Sequence, residues 1–186
     1  MFKQMIIILC ITMISSVSTH GENPTISIQQ DLSACSSLGV QKFAERKAAA
    51  TFSLNDLDGN RVTLKDFRGE PVLLFFWDAL CSVCIENMAS LENAFGGKRD
   101  KLAVLLLVKE EGTENTIREI VKKNNITLPV LLVHGNGILK GYGVGKWFPQ
   151  GFLIDREGYL VGKILGHRDW KSTEARACIG EFFSLR

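Results

Sequence analysis

Apolar and polar positions alternate along this chain on two periods, and the period changes mark the elements. In "FSLNDLDGNRVTL" (52–64), Phe52 and Leu54 alternate before Asp58-Gly59, and Val62 and Leu64 alternate after it. Period-two alternation around a turn dipeptide predicts a β-hairpin. "FRGEP" breaks the chain, and "VLLFFW" (72–77) follows as an unbroken apolar run. Such a run, bounded by turn residues, suits a strand buried on both faces of a mainly parallel sheet. The period then becomes helical. Cys84, Met88, Leu91 and Phe95 recur at spacings of four, three and four, and Gly96-Gly97 closes the stretch.

The alternation continues downstream. "KLAVLLLV" (101–108) predicts a second buried strand, and "LPVLLV" (128–133) a third. Between them "GTENTIREIVKKNN" predicts a helix capped by Thr113, with Ile117, Ile120 and Val121 on its apolar side. "GFLID" and "YLVGKILG" predict two strands joined by the tight turn "REG". "STEARACIGEFFSLR" predicts a closing helix with Cys178, Ile179, Phe182 and Phe183 on one stripe. Residues 22–50 are weakly patterned, with one short helix expected around "LGVQKFAERKAAA". The order is hairpin, β-α-β-α-β, then β-β-α. It predicts an α/β fold: a central mixed sheet flanked by helices, with an added N-terminal β-hairpin. No internal repeat interrupts it.

The first twenty residues are of another kind. "MFKQ" is basic, "MIIILCITMI" is apolar, and "SSVSTHG" is small and polar. This is the layout of a secretory signal peptide, with Ser16 and Ser18 suited to a cleavage after Ser18. The alternative is an uncleaved membrane anchor, for which the run falls short of the roughly 20 residues of a span. The expected organisation is therefore a signal peptide over 1–20, an N-terminal extension over 21–47 and one domain over 48–186. Export to a periplasmic or other extracytoplasmic compartment follows from either form of the leader. A net charge of +2, with Lys3 the leader's only charged side chain, leaves no basic field to gather nucleic acid.

Export changes how the cysteines are read. Cys10 goes with the leader, and Cys35, Cys81, Cys84 and Cys178 remain in an oxidising compartment. A bridge from Cys81 to Cys84 closes too small a loop to add much stability, so this pair suits exchange better than stapling. The pair lies between a buried strand and a helix. The first thiol would sit at the helix N-terminus, where the free N–H groups favour thiolate. Cys81 would then attack a substrate disulfide, and Cys84, one turn on and more shielded, would resolve the mixed disulfide. Two inert thiols are the bland alternative. A zinc site lacks a second cysteine pair, and His20, His134 and His167 are scattered. Cys178 on its apolar stripe reads as a buried, inert thiol, and a Cys35–Cys178 bridge is the sharper alternative.

From about Ala48 to Phe183 the chain resembles the thioredoxin superfamily, and more narrowly the exported TlpA/ResA-like thiol–disulfide oxidoreductases. The residues that carry the likeness are "FSLNDLDGNRVTLKDFRGEPVLLFFW", the Cys81–Cys84 pair, "YGVGKWFPQGFLIDREG" and "GHRDWKSTEARACIGEFF", in that order. The resemblance implies a thioredoxin-like fold and dithiol chemistry without a bound cofactor. Protein thiols and disulfides would be the substrates, and a membrane or periplasmic redox donor would reset the pair. It often implies reduction of apocytochrome c cysteines before haem attachment. It also assigns Pro149 as a cis-proline packed against the active-site disulfide, with Phe148 offering backbone hydrogen bonds to substrate.

Several residues depart from the family pattern. Leu80 stands where Trp is usual, Ser82-Val83 replaces a proline-containing dipeptide, and Phe75 stands where thioredoxins bury an Asp. Asn87 falls where some relatives carry a Glu. Asp78 and Glu86 are then the nearest acids in sequence for proton transfer at Cys84, each also readable as a solvated charge. Trp77 is expected near the disulfide as part of the substrate-binding surface, and Phe76 in the core. Other functions for the same thiols are a peroxiredoxin-like peroxidase, disfavoured because "FWDALC" lacks the usual Pro and Thr or Ser, and a copper- or haem-delivery module. A degenerate member acting as a structural partner is a further alternative.

Overall fold

The computed structural model of the chain describes residues 33–97 and 102–184. The leader and most of the N-terminal extension lie outside these residues. A single eight-stranded mixed sheet forms the centre. Its strands are β1 (Gln41–Ala48), β2 (Ser53–Asp56), β3 (Arg61–Thr63), β4 (Val72–Trp77), β5 (Ala103–Lys109), β6 (Val130–Val133), β7 (Gln150–Ile154) and β8 (Tyr159–Leu165), in the order β1-β8-β7-β4-β5-β6-β2-β3. The parallel pairs are β4 with β5 and β5 with β6. β7 runs antiparallel to β4 and carries β8 and β1 on one flank. On the other, β6 carries β2, which pairs antiparallel with β3. The turn between β2 and β3 is held by Asp56, whose carboxylate accepts the N–H groups of Asp58 and Asn60, and by Gly59 at φ 83°.

The unbroken apolar runs became central strands because both faces of the sheet are covered. On one face Leu73, Phe75, Trp77, Leu106 and Val108 pack beneath α2 (Ser82–Phe95), α3 (Glu114–Lys123) and α5 (Thr173–Ser184). On the other, Leu74, Phe76, Leu105, Leu107 and Phe152 pack against Phe52, Leu64 and α4 (Gly137–Tyr142). Alternate residues of one strand thus enter two cores. Phe76, Tyr142 and Phe152 meet with ring centroids 5.2–5.7 Å apart, and the Tyr142 hydroxyl donates to the Ala50 carbonyl. No helix among the described residues is long and apolar enough to cross a membrane.

Three expectations are corrected. The helix expected within residues 38–50 is strand β1 from Gln41 on. Its helix-forming composition is overridden by pairing with β8, and Arg46 lies 3.8 Å over the Tyr159 ring. Thr113 precedes α3 but makes no side-chain cap. Glu110 instead accepts the N–H groups of Gly112 and Thr113, fixing the turn that leads into the helix. Cys178 is not a free thiol: it is bonded to Cys35, which lies on α1 (Ser33–Ser37). Glu181 reinforces this junction by accepting the Ser33 hydroxyl and the Ala34 N–H. α1 and β1, from the expected extension, thus join the domain. Helix α4 was not anticipated, because two glycines in "GILKGY" and its brevity hide the helical period.

Candidate active site

The carboxyl ends of β4 and β5 and the start of β7 lie together, with Trp77 beside Val108 and Phe76 beside Gln150. Ligand sites in open α/β sheets gather at such edges. The chain leaves β4 at Asp78, whose carboxylate accepts the Leu80 N–H at 2.8 Å while its carbonyl accepts the Cys81 N–H. This Asx turn delivers Cys81 to the N-cap of α2. Cys81 and Cys84 are joined as a disulfide. Cys84 is fully buried, whereas Cys81 is partly exposed. The Cys84 N–H points at the Cys81 sulfur, 3.2 Å away. A negative charge forming on that sulfur would therefore meet a helix N-terminus and a donor already aimed at it.

The Phe148-Pro149 peptide is cis. Among the described residues the Phe148 N–H and C=O make no hydrogen bond, although the flanking Trp147 and Pro149 carbonyls accept from Gln150 and Gly166. The Phe148 side chain is half-buried and packs against both cores. Four of the five large apolar side chains exposed among the described residues belong to the segments around the pair. Leu80 (89% exposed) and Val83 flank Cys81, Trp147 (83%) precedes Phe148, and Leu165 lies opposite Gln150.

Trp77 does not join that surface. It is wholly buried, because β4 ends between two neighbours and beneath α2, and its indole N–H has no partner. Trp147 takes the exposed position instead. It went unnoticed in the sequence because an aromatic in a loop carries no period. Phe75 packs in the same core as Cys84, so apolar surface replaces a carboxylate there. Asn87 is fully buried and hydrogen-bonded through both ends of its amide. Its side-chain N–H group donates to the Val83 carbonyl, and its oxygen accepts the Arg168 N–H and the Trp170 indole N–H. Glu86 is exposed, two residues and therefore about 200° around the helix from Cys84. Asp78 stays at the loop, half-buried, with one oxygen engaged.

The sequence model of the AhpC/TSA family matches residues 46–163. The chain belongs to that family. Within it the chain is similar to the thiol–disulfide oxidoreductase ResA of Bacillus cereus, 31% identical over 134 residues, which cover 72% of this chain and 77% of that protein. Among solved structures it resembles the exposed lipoprotein thioredoxin of Streptococcus pneumoniae (TM-score 0.60, 28% identity, 73% of this chain and all of that one). It also superposes on a putative thiol:disulfide interchange protein DsbE from Chlorobium tepidum (TM-score 0.67, 22% identity, 76% of this chain and 99% of that one). This AhpC/TSA member is a thiol–disulfide oxidoreductase of the ResA type with a thioredoxin-like fold, as the resemblance implied.

Proposed function

We propose that this oxidoreductase is exported and reduces selected protein disulfides through Cys81 and Cys84, apocytochrome c cysteines among them. The observation that carries the mechanism is the asymmetry of the pair: one sulfur is partly exposed at a helix N-terminus and the other is wholly buried. In the reduced enzyme the Cys81 thiolate attacks one sulfur of a substrate disulfide. That bond breaks, a mixed disulfide forms, and the departing substrate sulfur takes up a proton. The Cys84 thiolate then attacks Cys81, restoring the bond seen here and releasing the second substrate thiol. Two electrons and two protons pass to the substrate, and an external dithiol donor, membrane-bound or periplasmic, returns them to the pair.

Phe148 forms the substrate ledge, because its unused peptide groups offer one donor and one acceptor to an extended strand. Leu80, Val83 and Trp147 offer exposed apolar surface to the docked substrate chain. Asp78 assists the proton leaving Cys84, while Glu86 faces away. If Asp78→Asn leaves the pH profile of disulfide exchange unchanged, that role is wrong. The direction of electron flow is tested by equilibrating the Cys81–Cys84 couple with dithiothreitol or glutathione buffers. A potential near or below roughly −250 mV is expected for a reductant, whereas one near roughly −120 to −180 mV would make disulfide formation the task. The leader over 1–20 and export are tested by fractionating cells that express the full chain and sequencing the N-terminus of the product.

A further inference from the structure

Beside the redox pair lies a groove of about 400 Å³, lined among others by Asp78, Phe148, Leu139, Lys109, Lys140 and Lys146. It shares two residues with the site, Asp78 of the loop before Cys81 and Phe148 of the ledge. Helix α4 supplies its floor through buried Leu139 and its rim through exposed Lys140. Lys146 stands on the exposed stretch that leads from α4 to Trp147 and Phe148.

Its charge is unbalanced. Lys109 is paired with Glu111 at 2.8 Å, which leaves Asp78 as the one carboxylate of the lining set against Lys140 and Lys146. Lys140 and Lys146 have no acidic partner within salt-bridge distance among the described residues. Two free ammonium groups therefore flank a recess whose inner wall is apolar. A polypeptide lying along Phe148 places every second side chain on one face. Side chains near the reacting cysteine would then hang over this recess.

We propose that the groove receives a carboxylate side chain of the substrate, so that the enzyme selects extended protein segments with Asp or Glu close to the reacting cysteine. This inference rests on the oxidoreductase reading above and deepens it. Cationic rims of this kind act mainly on encounter and register, so the effect belongs in kcat/KM and weakens with salt.

The test uses two short peptides, each with one intramolecular disulfide. They are identical except that two glutamates near the cysteine in one are glutamines in the other. The reduced enzyme is expected to favour the acidic peptide about tenfold in kcat/KM at low salt. The preference should vanish as salt rises from about 0.02 to about 0.5 M, and should fall to about parity in Lys140→Gln/Lys146→Gln. Lys65→Gln, on the 3-10 turn Leu64–Phe67 and outside the groove's lining, should keep it. Equal turnover of the two peptides by the unaltered enzyme, or a preference surviving the double substitution, would overturn the groove. Turnover of neither peptide would instead sink the proposed reduction of protein disulfides on which it rests.

Discussion

The molecule holds two disulfides that share a bond type and little else. Cys81–Cys84 spans three positions, opens a helix and leaves one sulfur partly exposed. Cys35–Cys178 spans 143 positions, and both its residues are fully buried where α1 meets α5. By the loop-entropy relation the first contributes about 2 kcal/mol and the second about 5 kcal/mol. Access runs the other way: a thiolate from solution can reach Cys81 but not Cys35 or Cys178. On the proposed mechanism, loop length and exposure together divide these four cysteines into a pair for exchange and a pair that ties α1 to α5.

The largest expected effect breaks the comparison at its reactive end. Cys81→Ser should abolish protein disulfide reduction, read in a dithiothreitol-coupled turnover assay. Cys84→Ser should trap the mixed disulfide, seen as added mass on the intact protein. Residual turnover above about a thousandth in Cys81→Ser would give the nucleophile's role to another group. Next comes the holding end. Replacing Cys35 and Cys178 by Ser should cost up to about 5 kcal/mol in denaturant unfolding by the loop-entropy relation. The Cys81–Cys84 potential should stay within a few tens of millivolts, a small shift on the redox scale. A large shift would mean that the two bridges are one coupled system.

Asn87 is the physical link between the two regions. It sits on α2 one turn beyond Cys84 and holds Arg168 and Trp170, while Arg168 also donates to the Leu38 carbonyl next to α1. Asn87→Ala leaves the buried Trp170 indole N–H and the part-buried Arg168 N–H without their acceptor and should cost about 1–3 kcal/mol of stability. Combined with Cys35→Ser/Cys178→Ser, its cost should depart from additivity, because both changes loosen the same junction.

Legibility in the sequence followed the source of each element's stability. β4, β5, β6 and α2 are fixed by their own apolar patterns, so their type and order were readable. β1 exists because β8 offers it an edge and Tyr159 a surface for Arg46, and neither is visible in "QKFAERKA". Helix α4 depends on Leu139 and Tyr142 finding the second core. The two cysteines of the site stood out by spacing and by their place between strand and helix. Their apolar surroundings did not, because exposure is a property of the finished surface. That is why Trp77 was expected at the surface and Trp147 was passed over.

The two tryptophans give the finest division between holding and exchange, and Trp147 gives the smallest effect. Trp77 is wholly buried in the core that also contains Cys84, so Trp77→Ala should cost about 3–5 kcal/mol of stability. Trp147 is 83% exposed and supports no core, so Trp147→Ala should leave denaturant unfolding within about 0.5 kcal/mol. Its contribution is contact area beside the Phe148 ledge, offered to a substrate that is absent during folding. KM for a protein disulfide should rise about three- to tenfold, a loss of roughly 1 kcal/mol of contact energy typical of a rim aromatic, with kcat little altered. A fall in kcat with KM unchanged would place Trp147 in the exchange step itself, and its indole would then be acting on the mixed disulfide rather than on the approaching chain.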